Sequence, residues 1–147
     1  MISSNVVGTI QAIFYASGTF AALASARAYW RNSAQERAKW LFELYQRFYD
    51  SDSHGDVRRR IETGNTRFAQ EEQDEQLLQK LDDYLNFFEF ISFLLRSRRL
   101  KKKEAMAMFD YPLRKMANDK PIRRYLSRPE YGYEGLNELL KDLGYPN

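Results

Sequence analysis

The nineteen residues from Leu77 to Leu95, LLQKLDDYLNFFEFISFLL, limit most severely what this chain can become. On a 3.6-residue period Leu77, Leu81, Tyr84, Leu85, Phe88, Ile91 and Leu95 fall on one face. Leu78, Phe87, Phe90 and Leu94 widen that face beyond half the circumference, and only Asp82, Asn86 and Glu89 keep a polar stripe. A helix so apolar needs other helices wrapped around it. Its carboxylates make it too costly as a membrane span, so the stretch is expected to be the hub of a helical bundle.

The second strong feature lies at the start. Residues 6–26, VVGTIQAIFYASGTFAALASA, hold twenty-one positions without a charge. As a helix they extend about 31 Å, close to the roughly 30 Å hydrocarbon core of a bilayer. Arg27, Tyr29, Trp30 and Arg31 follow at once as interfacial anchors, whereas the preceding MISSN has no cation. This asymmetry predicts a single transmembrane anchor at 6–26 in the cytoplasmic membrane and a cytoplasmic helical domain at 27–147. Two other readings compete. Ala24-Ser25-Ala26 has the form of a signal-peptide cleavage site but lacks a basic leader before it, and an Ala-rich segment of this length also suits a buried core helix. Small residues at four-residue spacing, Gly8, Ala12, Ala16 and Gly18, Ala22, Ala26, permit close helix approach in lipid, which makes a homo-oligomer one expected state.

Helical spacing continues from Ala28 to Tyr49 through Ala34, Ala38, Leu41, Leu44, Tyr45 and Phe48, with Lys39, Glu43 and Arg47 as i,i+4 neighbours and Trp40 and Phe42 off the stripe. The run DSDSHGD at 50–56 reads as a loop carrying a solvated His54. A short helix at Val57–Thr63 should stop at Gly64-Asn65, with Asn65 or Thr66 capping a helix that opens on the acidic run 71–75. Beyond Leu95 the sequence flips to RSRRLKKK, in which Arg96, Arg98, Arg99, Lys101, Lys102 and Lys103 place six cations in eight residues. Anionic lipid is one target for such a cluster. Nucleic acid is a weaker one, since no aromatic residues are interleaved for stacking, and a solvated turn after a helix is the plainest alternative. A further helix near 104–116 should bend or break at Pro112, Asp119 or Lys120 should start the next one ahead of Pro121, and Leu136, Leu139, Leu140 and Leu143 should form a last amphipathic helix closed by Gly144.

The chemistry-bearing patterns are missing. The chain has no cysteine and one histidine, and it carries no phosphate-binding loop, dinucleotide fingerprint, zinc-protease motif or nucleophile elbow. No cofactor, metal or catalytic residue is therefore expected. The stripe Asp82, Asn86, Glu89, with Arg96 two turns on, is the one place where an activity could be sought, but buried carboxylates there are expected to bond within the bundle. At 147 residues, 44% apolar and 29% charged with a net charge of +3, the chain is sized and composed as about one globular domain.

The stretch DDYLNFFEFISFLLRSRRLKKKEAMAMFDYPLRKMANDKPIRRYL, residues 82–126, resembles a family of small bacterial proteins known as domain of unknown function forty-seven sixty. Leu85, Asn86, Phe87, Phe88 and Glu89 carry its central pattern, and Phe109 and Leu113 that of the next helix. The resemblance implies an all-helical, membrane-tethered domain and no catalytic residues; the run RSRRLKKK is more basic than the family's pattern. The expectation is an all-α protein: a transmembrane helix continuing into a cytoplasmic bundle that binds another protein, or itself, near anionic lipid. The alternative is a soluble basic helical module for nucleic acid.

Overall fold

The computed structural model describes the backbone of residues 4–71 and 74–145, and the side chains of residues 25, 27–69 and 74–145. All regular structure among the described residues is helical. The elements are α1 (Ser4–Tyr49), α2 (Asp52–Thr63), α3 (Phe68–Glu71), α4 (Glu75–Arg96), α5 (Lys102–Asn118), α6 (Lys120–Leu126), a 3-10 turn at Pro129–Tyr131, and α7 (Glu134–Asp142). The chain is thus all-α, with two compact units, Met1–Leu44 and Tyr45–Asn147. The expected transmembrane segment at 6–26 lies almost wholly outside the residues whose side chains are described; among the described residues no helix is long and apolar enough to cross a membrane.

In the first unit Arg27, Tyr29, Trp30 and Arg31 are exposed, Tyr29 and Trp30 to 72% and 76%. Lys39 and Glu43 pair at 3.9 Å in solvent, an i,i+4 contact worth a few tenths of a kcal/mol. Ala34 and Ala38 are exposed rather than part of a covered stripe, while Trp40 is half-buried.

The second unit is built on α4, whose buried face runs through Leu77, Leu81, Tyr84, Leu85, Phe88, Ile91 and Leu94 and packs chiefly on α2 and α7. Phe48, fully buried at the end of α1, sits among its aromatics: ring centroids lie 4.9 Å from Phe87, 5.2 Å from Phe88, 5.6 Å from Tyr84 and 5.4 Å from Phe109 of α5. Edge and tilted packings of this kind add to the area each ring buries. The hub is not covered all round. Gln76, Gln79, Asp83, Asn86, Phe90, Phe93 and Ser97 follow one another at three- and four-residue steps along a solvent-facing stripe. Phe90, expected within the apolar face, is 46% exposed, and it stacks at 6.4 Å on Phe93, which is 53% exposed.

The expected loop at 50–56 is the beginning of a helix. The Ser51 side chain accepts the His54 N–H at 3.4 Å and caps α2, so short polar residues that suit a turn here serve a helix start. His54 is buried, not solvated: its ring lies 5.5 Å from that of Phe48 and 5.7 Å from that of Phe87, with Nδ1 3.3 Å from the Phe48 carbonyl oxygen. The far end behaves as expected, with Gly64 at φ +71 and the Asn65 N–H donating to the Arg60 carbonyl at 2.8 Å. The acidic run does not open one helix. α3 ends at Glu71, and Asp74 caps α4 by accepting the Leu77 N–H at 3.0 Å.

α5 continues through Pro112 rather than breaking. Proline removes the N–H that would bond the carbonyl four residues earlier. That carbonyl belongs to Met108, and the Tyr49 hydroxyl donates to it at 3.2 Å, so the group freed by proline has a partner. Asp119 caps α6 as expected, one carboxylate oxygen accepting the Ile122 N–H at 3.0 Å and the other the Thr66 hydroxyl at 2.9 Å. Asn137 closes the other end of α6 by donating to the Leu126 carbonyl at 2.7 Å.

Two measurements test this packing. Gly55 lies inside α2 with nothing within 4 Å of where a Cβ would stand, so Gly55→Ala should raise unfolding stability by about 1 kcal/mol in urea titration. Burial holds His54 below its ordinary value of 6.5, against the smaller opposing pull of the Phe48 carbonyl and Asp83. The unfolded chain then binds more protons between the two values, so stability is present above the unfolded value and is lost as pH falls through the folded one. The melting temperature should drop between pH 7.5 and 5.5, and the drop should shrink in His54→Leu.

Candidate functional site

Glu89 joins α4 to α7. Its two carboxylate oxygens accept the backbone N–H groups of Gly135 at 3.1 Å and Leu136 at 2.6 Å, in the first turn of α7. Those donors have no partner inside their own helix, and the negative charge suits the positive end of its dipole. α7 itself begins without a side-chain cap from its own sequence, since Tyr133 occupies that position. The approach is close enough to require glycine. A Cβ on Gly135 would stand 2.6 Å from both the Ser92 hydroxyl and an Arg96 nitrogen, and closer still to a Glu89 oxygen. Arg96 reaches Glu89 at 3.7 Å and Glu138 at 3.6 Å from a side chain 54% exposed, which makes these pairs minor in energy.

Asp82, two turns earlier, serves a separate network. One of its oxygens accepts hydroxyl hydrogen bonds from Tyr125 and Tyr133, each at 2.8 Å. Burial, and then the bond to a carboxylate that favours the protonated phenol, push both tyrosines well above their ordinary value of 10.0. They are therefore fixed donors tying α6 and the approach to α7 onto α4, not proton-transfer groups at neutral pH. Asn86 takes no part in either network and is exposed, and Asp82 and Glu89 are half-buried. The expected buried stripe is thus two half-buried carboxylates with different partners, separated by a solvent-facing amide.

The basic run forms the turn between α4 and α5. The Arg99 N–H donates to the Leu94 carbonyl at 2.9 Å and the Arg98 N–H to the Leu95 carbonyl at 3.1 Å, the double bonding of a Schellman helix end. Such an end needs one residue at positive φ, usually glycine. Here it is Arg98, at φ 58, which for a residue with a Cβ costs about 1 kcal/mol. All six cations of the run are exposed. Four of them, Arg96, Arg98, Lys101 and Lys102, border a cavity of about 600 Å³ whose walls are mostly apolar, including Leu95, Leu100, Leu139 and Leu143. Arg99 and Lys103 lie outside its lining.

The geometry brings together Glu89, Arg96 and part of the basic run, and leaves Asp82 apart from them. The residues that sequence reading missed are the partners on the other side: Gly135, Tyr125, Tyr133 and the α7 leucines of the cavity wall. The one available signal was Gly135 directly ahead of an amphipathic leucine pattern, a small residue at a helix start. Among the described residues no group of three or more histidine, cysteine or acidic side chains is placed to hold a metal. Compared with protein-family models, with curated proteins and with solved structures, the chain matches none.

Gly55 in α2 and Gly135 in α7 should respond in opposite senses. Where Gly55→Ala stabilises, Gly135→Ala should destabilise by about 1–3 kcal/mol, because its methyl displaces the Glu89 carboxylate. Glu89→Gln, which keeps the shape but loses the charge and one acceptor, should cost about 1–2 kcal/mol in the same urea titration.

Proposed function

We propose that this chain is a membrane-tethered helical module whose Tyr45–Asn147 unit holds a basic surface against anionic lipid and serves as an interaction or scaffold domain rather than an enzyme. One observation carries the reading: the α4–α5 turn gathers Arg96, Arg98, Lys101 and Lys102 at the border of an apolar-walled cavity. A merely solvated turn gives its charges no such apolar neighbour. Cations near an anionic membrane surface each contribute about 1 kcal/mol when they lie within a Debye length of it. The tether is the uncharged segment 6–26, with Arg27, Tyr29, Trp30 and Arg31 at its exit. The stacked, exposed Phe90 and Phe93 on α4 supply an apolar surface for a protein partner.

The surface contact is tested on the full chain reconstituted into vesicles of neutral phosphatidylcholine or of phosphatidylcholine with phosphatidylglycerol. A membrane-permeant lysine reagent should modify Lys101 and Lys102 several-fold more slowly in the anionic vesicles, with the protection lost in high salt. Equal rates in the two vesicles would remove the lipid contact. Recovery of the untagged full-length chain in the soluble fraction without detergent would remove the tether.

A further inference from the structure

We propose that the cavity between the α4–α5 turn and α7 binds a single-chain lipid phosphate, its acyl tail between the leucines and its phosphate on the cationic rim. The proposal rests on the reading above in taking the same basic surface as the contact with anionic lipid, and it adds a half-open site for one molecule. The volume, about 600 Å³, falls in the range of small-molecule pockets. Leu95 and Leu100 line it from the α4 end and the turn, and Leu139 and Leu143 from α7, so an apolar chain entering it replaces contact with water.

The rim sets the head. Arg96, Arg98, Lys101 and Lys102 face two carboxylates of the lining, Glu138 and Asp142, which leaves an excess of two positive charges. A phosphate monoester carries about −1.5 to −2 at neutral pH and offers three acceptor oxygens, whereas a carboxylate carries only one charge. Two of the four cations are already engaged, Arg96 with Glu89 and Glu138 and Lys102 with the Asp142 carbonyl at 3.3 Å. Arg98 and Lys101 have no side-chain ion-pair partner among the described residues, so two cations stand uncommitted at the opening. The strain at Arg98 supports the same assignment. Glycine would fit its φ of 58 without cost, yet the position carries a guanidinium, a group suited to gripping phosphate by paired hydrogen bonds.

The test titrates octyl, decyl and dodecyl phosphate into the full chain held in nanodiscs of neutral phosphatidylcholine, with empty nanodiscs as the blank. Binding should saturate at one molecule per chain and strengthen up to about fourfold per added methylene until the cavity is filled. Leu143→Trp and, separately, Leu95→Trp fill the space from half-buried positions and should each weaken dodecyl phosphate at least tenfold, with thermal melts confirming the fold. Arg98→Gly should raise the melting temperature while weakening the phosphate several-fold, a pair of opposite signs that a purely structural role does not produce. Dodecanoate should bind less tightly than dodecyl phosphate, and inorganic phosphate should not compete at equal concentration. Affinity independent of chain length, or unchanged in both tryptophan variants, would overturn the cavity as the site. Equal competition by inorganic phosphate would reduce it to an anion contact. Lysine protection by anionic vesicles in an unaltered chain that shows no saturable alkyl phosphate binding leaves the surface reading standing while the tail site fails. Loss of protection in the unaltered chain with tail binding intact does the reverse.

Discussion

The pairing of the Glu89 carboxylate with the two leading amides of α7 is the contact on which the rest of the Tyr45–Asn147 unit turns. It joins two elements distant in sequence at a point where neither could be satisfied alone. The amides of a helix start need an acceptor, and a half-buried carboxylate needs donors. Ser92 and Arg96 fill the space around the carboxylate so completely that Gly135 must lack a side chain. Because α7 brings Leu139 and Leu143 with it, the same contact fixes one wall of the cavity, while the α4–α5 turn fixes the other. The site is therefore a product of helix docking rather than of a local motif.

The opposite flank of α4 is held by different physics. Phe48 inserts among Phe87, Phe88, Tyr84 and Phe109, and directional bonds are few there. Two polar groups are nonetheless accommodated. His54 shares the cluster as a neutral ring, and Tyr49 carries its hydroxyl to the Met108 carbonyl that Pro112 leaves open. A proline expected to bend or break α5 is thus tolerated within it because an aromatic residue from another helix supplies the missing donor.

These cases explain what was legible in the chain and what was not. Helix type, the core face of α4, the glycine stop at Gly64 and the aspartate start at Asp119 depend on neighbours within a few residues, so the sequence shows them directly. The helix start at Ser51 was misread, and the bend or break expected at Pro112 is not a break, for a shared reason. Polar turn formers and proline carry a local preference, and burial of His54 against Phe48 and Phe87 or a bond from Tyr49 overrides it at long range. Periodicity placed Phe90 on the apolar side because it weighs residue type and not the position of neighbouring helices. In the candidate site the charges of Arg96 to Lys102 were evident, and the cavity they border was not. Its far wall lies some forty residues away, and no spacing rule connects Glu89 with Gly135.

That separation also orders the making of the protein. During synthesis α4 emerges with its carboxylate facing water, and the amides it will accept belong to a segment 46 residues later. Through that interval Glu89 has water and the Arg96 side chain of its own helix beside it, so a charged residue there keeps the growing chain soluble at the spot where a leucine would invite premature association. α7, made after α4 and α5, is the helix that closes the cavity. A nascent chain lacking residues 134–142 would present the Leu95 and Leu100 side of the cavity as an open apolar ledge beside a row of cations, a surface that chaperones and membranes would meet before the finished protein does.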